Sequence, residues 1–280
     1  MDTRSELGRF LQTRRGQLQP ADVGLQLFDE RRRVPGLRRD ELARLAGVSQ
    51  SYLTRLEQGQ SLNASAEVLD ALATALRLDD TERRHLHDLS GRPRQRRSRR
   101  PAPEKVSEAT RQLVEALGDT PAIVLGRRSD VLLWNKSGHA LFAGHLDPHS
   151  PERPDDRPNS ARLVFLDAHT RDLYEDWPRK ARDVVGKLRL AAGRYPDDPA
   201  LAALIGELAM HSPEFTALWA EHKVRDWDIA RHRMRHPLVG TVEVVQQALP
   251  VPHGKDQRIV VVTTEAGSAS RAALSLLSRS

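Results

Sequence analysis

Apolar side chains in the first part of the chain fall three and four residues apart, in short bursts separated by polar turns, which predicts helices. Leu7, Phe10 and Leu11 mark a first amphipathic helix through about Arg15. Gln17–Val34 is polar, with Pro20 and three arginines, and predicts a long loop closed by Val34-Pro35-Gly36. Leu42, Ala43, Leu45 and Ala46 then place small and apolar groups on one face of a second helix, which Gly47 ends in a left-handed turn. Val48 fills the corner, Ser49 caps a third helix, and Leu53 and Leu56 are its buried pair before Gly59 stops it. Ser65 is the cap of a fourth helix carrying Val68, Leu69, Leu72, Ala73 and Leu76. Asp80 or Thr81 caps a fifth, with Leu86 and Leu89.

From Lys105 the texture changes. Val106, Leu113, Val114 and Leu117 predict a helix that Gly118-Asp-Thr-Pro121 stops. Ala122–Leu125 and Val131–Trp134 are apolar strands around a hairpin at Gly126–Asp130, and a short helix through Ala140, Leu141 and Phe142 follows. Leu146–Ser160 is rich in Pro and Asp and predicts a surface loop. Helical spacing returns at Leu163–Leu166, Leu173–Trp177, Val184–Leu190, Leu201–Leu208 and Phe215–Trp219, divided by Pro196, Pro199 and Pro213. Beyond Val224 the period moves toward two: His232–Arg235 and Val239–Val245 flank a turn at Pro237, and Arg258–Thr264 is a strong β run before a closing helix at Ala269–Leu277. The expected organisation is an all-α five-helix domain at 1–90, a Pro/Arg/Ser-rich linker at 91–104, and an α+β domain with one antiparallel sheet at 105–280.

The stretch Arg39–Gln58 has the form of two helices crossing steeply at a short turn, with Ala43 small enough for the crossing. This is a helix-turn-helix whose second helix suits a DNA major groove. It resembles the Cro/C1-type (XRE family) helix-turn-helix of phage repressors: Ala43, Gly47, Val48, Leu53 and Leu56 stand where that family has small, Gly and apolar residues. Gln50 and Ser51 fall where those repressors carry base-reading polar side chains, and Arg39 stands where the family often has Gln. The resemblance implies double-stranded DNA as partner and an operator met by a homodimer. Ser49, Gln50, Ser51, Tyr52, Thr54 and Arg55, with Arg38 and Arg39, are the expected DNA-binding residues. The alternative for the pair is a purely structural αα-hairpin.

Charge placement sharpens this. Residues 1–90 carry 14 basic and 14 acidic side chains, residues 91–100 six arginines and no acid, and residues 101–280 24 of each, so the whole net charge of +6 sits in the linker. Arg31, Arg32, Arg33, Arg38 and Arg39 cluster just before the motif. Both patches suit phosphate neutralisation with counterion release, although simple solvation is their plainer role in the absence of a DNA-binding fold.

Two strands ending in Trp134-Asn135, then a helix with Leu141-Phe142, resemble the opening of a PAS-type sensor. The longer pattern is similar to the MmyB-like ligand-binding domain of actinobacterial regulators. It is carried by Thr120-Pro121, Leu125–Arg128, Asp130–Leu132, Phe165–Asp167, Tyr174, Asp176-Trp177, Val184–Arg189, Asp197–Glu207, Ser212–Phe215, Leu218-Trp219, His222–Val224 and His236–Gly240. The resemblance implies a pocket over the sheet for a small apolar ligand, a fatty acid or similar long molecule. Trp134, Phe142, Phe165, Trp177, Leu188 and Trp219 are the candidate lining. Asn135, Arg127, Arg189 or His222 are candidates to hold a carboxylate head. Ordinary core packing is the competing role for the aromatics, a hairpin surface charge for Arg127, and a helix cap for Asn135. A second expectation stays open, that this domain is only a dimerisation or protein-interaction module.

Other chemistry is excluded or weak. The chain has no cysteine, which removes disulfides, thiolate metal sites and cysteine nucleophiles. No apolar run approaches the ~18 residues of a membrane span and no apolar leader opens the chain, so a cytoplasmic protein without membrane partner is expected. His232 and His236 are four apart, but a β period suits their segment and arginines surround them. His145, Asp147 and His149 lie in the predicted loop, and His85 and His87 would point to different sides of a helix. No nucleophile elbow, Walker loop or GxGxxG occurs. The sequence predicts a ligand-responsive DNA-binding regulator, without enzyme activity, cofactor or metal.

Overall fold

The computed structural model describes residues 3–25, 36–60, 64–90, 104–223, 229–252, 254 and 256–277. The expected arginine patch at 31–33 and the basic linker lie outside these residues. The described chain divides into two compact units. In one, the residues up to Ser90 group with 189–203 and 217–223. The other holds 104–188, 204–216 and 229–277, apart from positions not described.

The first unit opens with α1 (Thr3–Gln17), a 3-10 turn at Pro20–Val23, α2 (Arg39–Leu45), α3 (Gln50–Glu57), α4 (Ala66–Ala75) and α5 (Asp80–Ser90). Leu7, Phe10, Leu11, Leu53, Leu56 and Leu86 are fully or almost fully buried in its core, with Leu42 and Ala43 from α2. The turn between α2 and α3 forms as its residues dictate. Gly47 takes φ +65°, and the Ser49 hydroxyl accepts from the Tyr52 N–H at 3.2 Å. Leu45 departs from expectation. It is exposed, because the core takes only the Leu42, Ala43 and Ala46 edge of this two-turn helix.

A close approach fixes the other side of α3. A Cβ at Gly8 would lie 2.2 Å from the Glu57 carbonyl oxygen, so only glycine lets α1 reach the end of α3. Glu57 is itself buried, at 4 % exposure, and its carboxylate accepts from Arg15 Nε at 2.7 Å and Arg39 Nε at 2.6 Å.

The second unit is built on a five-stranded antiparallel sheet of order β2-β1-β5-β4-β3. Its strands are β1 (Ala122–Leu125), β2 (Val131–Trp134), β3 (Ile229–His236), β4 (Gly240–Pro250) and β5 (Arg258–Thr263). Period-two alternation sends Ala122, Val124, Leu132 and Ile259 to one cluster, with Val114 of α6 (Glu108–Ala116). Ile123 and Val260 go to another with Ala143 of α7 (Lys136–Ala143), and the register shift in the β1–β2 pairing lets both Val131 and Trp134 of β2 join it. This all-α unit followed by an α+β unit with one antiparallel sheet is the fold class that the sequence predicts.

Between β2 and β3 lie α8 (Ser160–Leu166), α9 (Ala168–Leu173), α10 (Trp177–Arg194), α11 (Pro199–His211) and α12 (Pro213–Ala220). The helix expected over Leu173–Trp177 is instead a junction. Asp167 caps α9 through the Thr170 N–H at 2.7 Å, Tyr174 leaves the helix to bridge Met234 of β3, and Trp177 begins α10. The loop expected at Leu146–Ser160 contains a 3-10 turn at Ser150–Glu152 with Ser150 and Pro151 buried, and Trp134 Nε1 donates to the Pro148 carbonyl at 2.7 Å. α10 divides between the units: it belongs to the second through Leu188 and to the first from Arg189. A last helix, α13 (Ala269–Leu277), follows β5.

Candidate functional site

The first candidate surface is the outer face of α3. Gln50, Ser51 and Arg55 are exposed along it. Thr54 is half-buried, and its hydroxyl donates to the Gln50 carbonyl at 2.8 Å. Tyr52 packs partly against the core, with the Arg55 guanidinium 5.9 Å from its ring centroid. Ser49 serves as the cap, its hydroxyl 3.2 Å from that of Ser51. Arg38 opens α2, its backbone N–H donating to Glu41 at 2.6 Å, and Arg39 is tied to Glu57 while its side chain stays 43 % exposed. The face therefore presents an amide and a hydroxyl in the first turn and a guanidinium one turn on, the donor and acceptor set that reads base edges or grips phosphates.

The second candidate site is a cavity wholly within the second unit, between the sheet and α7–α10. Its body is apolar: Ile123, Val131 and Val260 from the sheet, Trp134 and Phe142, Leu163 and Val164 of α8, and Val184 of α10. Its volume is about 50 Å³, room for a few waters and below the ~300 Å³ of ordinary ligand sites. One side is polar. Lys180 Nζ donates to Gln246 Oε1 at 3.0 Å, and Gln246 Nε2 donates to the Tyr174 hydroxyl at 3.3 Å. Lys180 is 6 % exposed and lies over the Tyr174 ring, 4.9 Å from its centroid. His232 stands edge-on to the other side of this cluster, 5.3 Å from Tyr174, and burial, then the Lys180 and Arg179 charges, hold its pKa down to about 3.

Comparison with protein families decides what these two units are. The model of the MmyB-like transcription regulator ligand binding domain matches residues 106–277, and that of a helix-turn-helix domain matches residues 6–86. The chain belongs to the MmyB-like transcription regulators. It is thus a DNA-binding, ligand-responsive regulator, from families that are typically non-enzymatic. A search of curated proteins found no match. Among the described residues, no helix is long and apolar enough to cross a membrane, and no three His, Cys, Asp or Glu side chains cluster as metal ligands.

Within the MmyB-like domain, the residues expected at a ligand separate. Trp134 and Phe142 line the cavity. Phe165 and Trp177 do not: they stack edge-to-face at 5.8 Å, Phe165 also meets Phe215 at 5.1 Å, and Trp177 Nε1 donates to the Val164 carbonyl at 2.7 Å. Their rings serve as the core that holds α8, α10 and α12 together. Leu188 is fully buried and also off the lining.

The four candidates for a carboxylate anchor lie away from the cavity as well. Asn135 caps α7 through the Gly138 N–H at 2.8 Å, accepts from the Ala122 N–H at 3.0 Å, and donates to the Thr120 and Gly118 carbonyls. Arg127 pairs with Glu104 at 3.6 Å. Arg189, Trp219 and His222 group with the first unit. There the Arg189 guanidinium donates to the Trp219 carbonyl and meets His222 Nδ1 at 3.0 Å and Glu6 at 3.5 Å. Burial, then the Arg189 charge, holds His222 down to a pKa of about 4.

His232 and His236, considered as a metal pair, project from one strand, and His236 Nε2 bonds the Ala140 carbonyl at 3.0 Å. The cavity's cationic residues, Lys180 and Lys187, went unremarked at the sequence level. The signal was present. They are two of six lysines in an arginine-dominated chain, and with Val184 they repeat at four and seven residues on one helix face. Gln246 likewise falls in phase with the inward positions Val242, Val244 and Ala248 of β4.

Proposed function

We propose that this MmyB-like regulator reads its operator sequence-specifically as a Cro/C1-type homodimer and answers to a long apolar molecule, a fatty acid or a relative of one. On this reading Gln50, Ser51 and Arg55 reach base edges or phosphates from the major groove. Thr54, Tyr52 and Ser49 shape that helix, and Arg38 and Arg39 approach the backbone from α2. A two-fold dimer places its half-sites about one helical turn apart. A Gln50→Ala/Ser51→Ala double variant is expected to keep salt-dependent DNA binding and lose discrimination between operator and random duplex. Full discrimination in that variant would refute the assignment of the reading face.

What supports an apolar ligand is the cavity's lining: ten apolar side chains, including Trp134 and Phe142, enclosed between sheet and helices. Its present volume means that a long ligand must part α8–α10 from the sheet. The bound form is then a second conformation, and the ligand acts by its differential affinity for the two. Native mass spectrometry of the purified protein tests this directly: a co-purified lipid, or thermal stabilisation by a panel of fatty acids, is the expected result.

The same small volume favours a second reading, in which the domain is only a dimerisation or protein-interaction module. A protein that stays ligand-free and unshifted across that panel would support the module instead.

A further inference from the structure

We infer that Arg189 is a positioning residue for DNA binding: from the end of α10 it sets α1, and through α1 the end of α3. The inference rests on the reading of α3 as the base-reading helix and adds what holds that helix in place. By sequence Arg189 lies inside the stretch that matches the ligand-binding family, yet it groups with the first unit. There it is 2 % exposed, its guanidinium 4.2 Å from the centroid of the Trp219 ring. The guanidinium donates to the Trp219 carbonyl and meets Nδ1 of the neutral His222 at 3.0 Å. Its counter-charge comes from α1. Glu6 stands 3.5 Å away, the one carboxylate paired with Arg189 among the described residues. Glu6 also meets Arg9 at 3.7 Å, but that side chain is 54 % exposed and its pairing is screened by water.

α1 carries the contact across the unit. Glu6 and Phe10, four residues apart, share one face of the helix, and Gly8, Gln12 and Arg15 share another. On the first face, Phe10 stands edge-on to His85 of α5, with 5.2 Å between centroids. His85 in turn seats α10: a Cβ at Gly193 would lie 2.7 Å from its ring. Leu190 packs against the same core, and Arg194 pairs with Asp88 of α5 at 3.8 Å.

The second face of α1 ends on α3. Gly8 lies against the Glu57 carbonyl oxygen, Gln12 Nε2 donates to that oxygen at 2.9 Å, and Arg15 pairs with the Glu57 carboxylate at 2.7 Å. α1 therefore stands between Arg189 and the last residue of the reading helix. A buried cation that loses its counter-charge is costly to leave in place. Removing the Glu6 charge thus drives Arg189 and α1 apart, and the close packing at Gly8 passes the shift on to Glu57.

The test uses the full-length protein and a duplex that the wild-type chain selects from a random-sequence pool, compared at one salt concentration with unselected duplex. Glu6→Gln is expected to weaken binding to the selected duplex about tenfold and to leave unselected duplex within about twofold. Hydrogen exchange should quicken along α1 and at Leu56–Gln58, with the sheet of the second unit as protected as before. Arg189→Met should match Glu6→Gln, and the double variant should be no worse than Arg189→Met alone. Arg189→Lys, which keeps the charge without the planar fork, should fall between. Gly193→Ala, which crowds His85 and leaves every charge in place, should lower selection in the same way. It carries the test with Glu6→Gln if Arg189→Met fails to fold.

Wild-type selection and wild-type exchange in Glu6→Gln would overturn the positioning role and leave the reading face standing. Equal loss on selected and unselected duplex would also overturn it, because that is the mark of a merely structural contact. A wild-type chain that selects no duplex sinks the reading face itself, and the positioning role with it.

Discussion

Glu57 shows how one side chain organises the DNA-binding unit. Its carboxylate is the shared acceptor of Arg15 and Arg39, so the end of α3 is bound to both α1 and α2. Removing it strands Arg15 in a largely buried site, and losing one partner of a buried pair costs more than the pair itself contributes. Glu57→Ala is therefore expected to lower the unfolding free energy by about 3 kcal/mol, and Glu57→Gln by less, as read by urea denaturation. The residue looks like any surface acid in the sequence, since its partners lie 42 and 18 positions away. Ser49, Gly47 and Leu53 were legible because their roles depend on neighbours within one turn.

The buried histidines set a pH dependence at the same scale. His85, 2 % exposed against Phe10, is held down to a pKa of about 3, chiefly by burial, as is His232. Unfolding returns both toward the ordinary 6.5, so between pH 6.5 and about 3 the unfolded chain binds more protons and stability falls as pH falls. Each such group removes up to about 1.4 kcal/mol per pH unit across that window. Denaturation at pH 7.5 and 5.0 should show the loss, and His85→Gln should make the slope shallower. An unchanged slope in the variant would show that His85 is not held neutral by the fold.

At the scale of elements, the seam of α7 against β1 carries the MmyB-like domain. A Cβ at Gly138 would meet the Ala122 carbonyl oxygen at 2.3 Å, so α7 lies directly on the strand's backbone. Asn135 completes the seam by capping α7, accepting from β1 and donating to the carbonyls that follow α6. Asn135→Ala leaves several of these groups unmatched and is expected to cost about 3 kcal/mol. Gly138→Ala should cost about 2 kcal/mol through forced separation of helix and strand. Thermal unfolding of both variants checks the pair, and a neutral Gly138→Ala would mean that the seam gives freely.

The sequence announced this helix through Leu141 and Phe142, and β3 through its alternation of arginines with inward residues. The break between α9 and α10 was not announced, because Tyr174 leaves the helix for a partner in β3 that lies 60 positions further on. The cavity's polar side was obscured for the same reason. Lys180 and Gln246 are 66 positions apart, and neither belongs to a recognisable motif on its own.

At the scale of the molecule, α10 is covalently continuous across the two units: Lys180, Val184 and Lys187 line the cavity, and from Arg189 onward the same helix groups with the first unit. A ligand that enlarges a cavity of about 50 Å³ must displace some of α8–α10, and it shifts an equilibrium only by its differential affinity for the two forms. Linkage then makes a firm demand. A fatty acid that binds here must, at saturation, change operator affinity by the same factor by which saturating operator changes its own affinity, typically about 5- to 150-fold. Titrating each ligand in the presence and absence of the other measures both factors. Hydrogen exchange should show α8–α10 opening on the way to the bound form. A fatty acid that binds tightly and leaves operator affinity untouched would mean that this cavity does not govern the DNA-binding face.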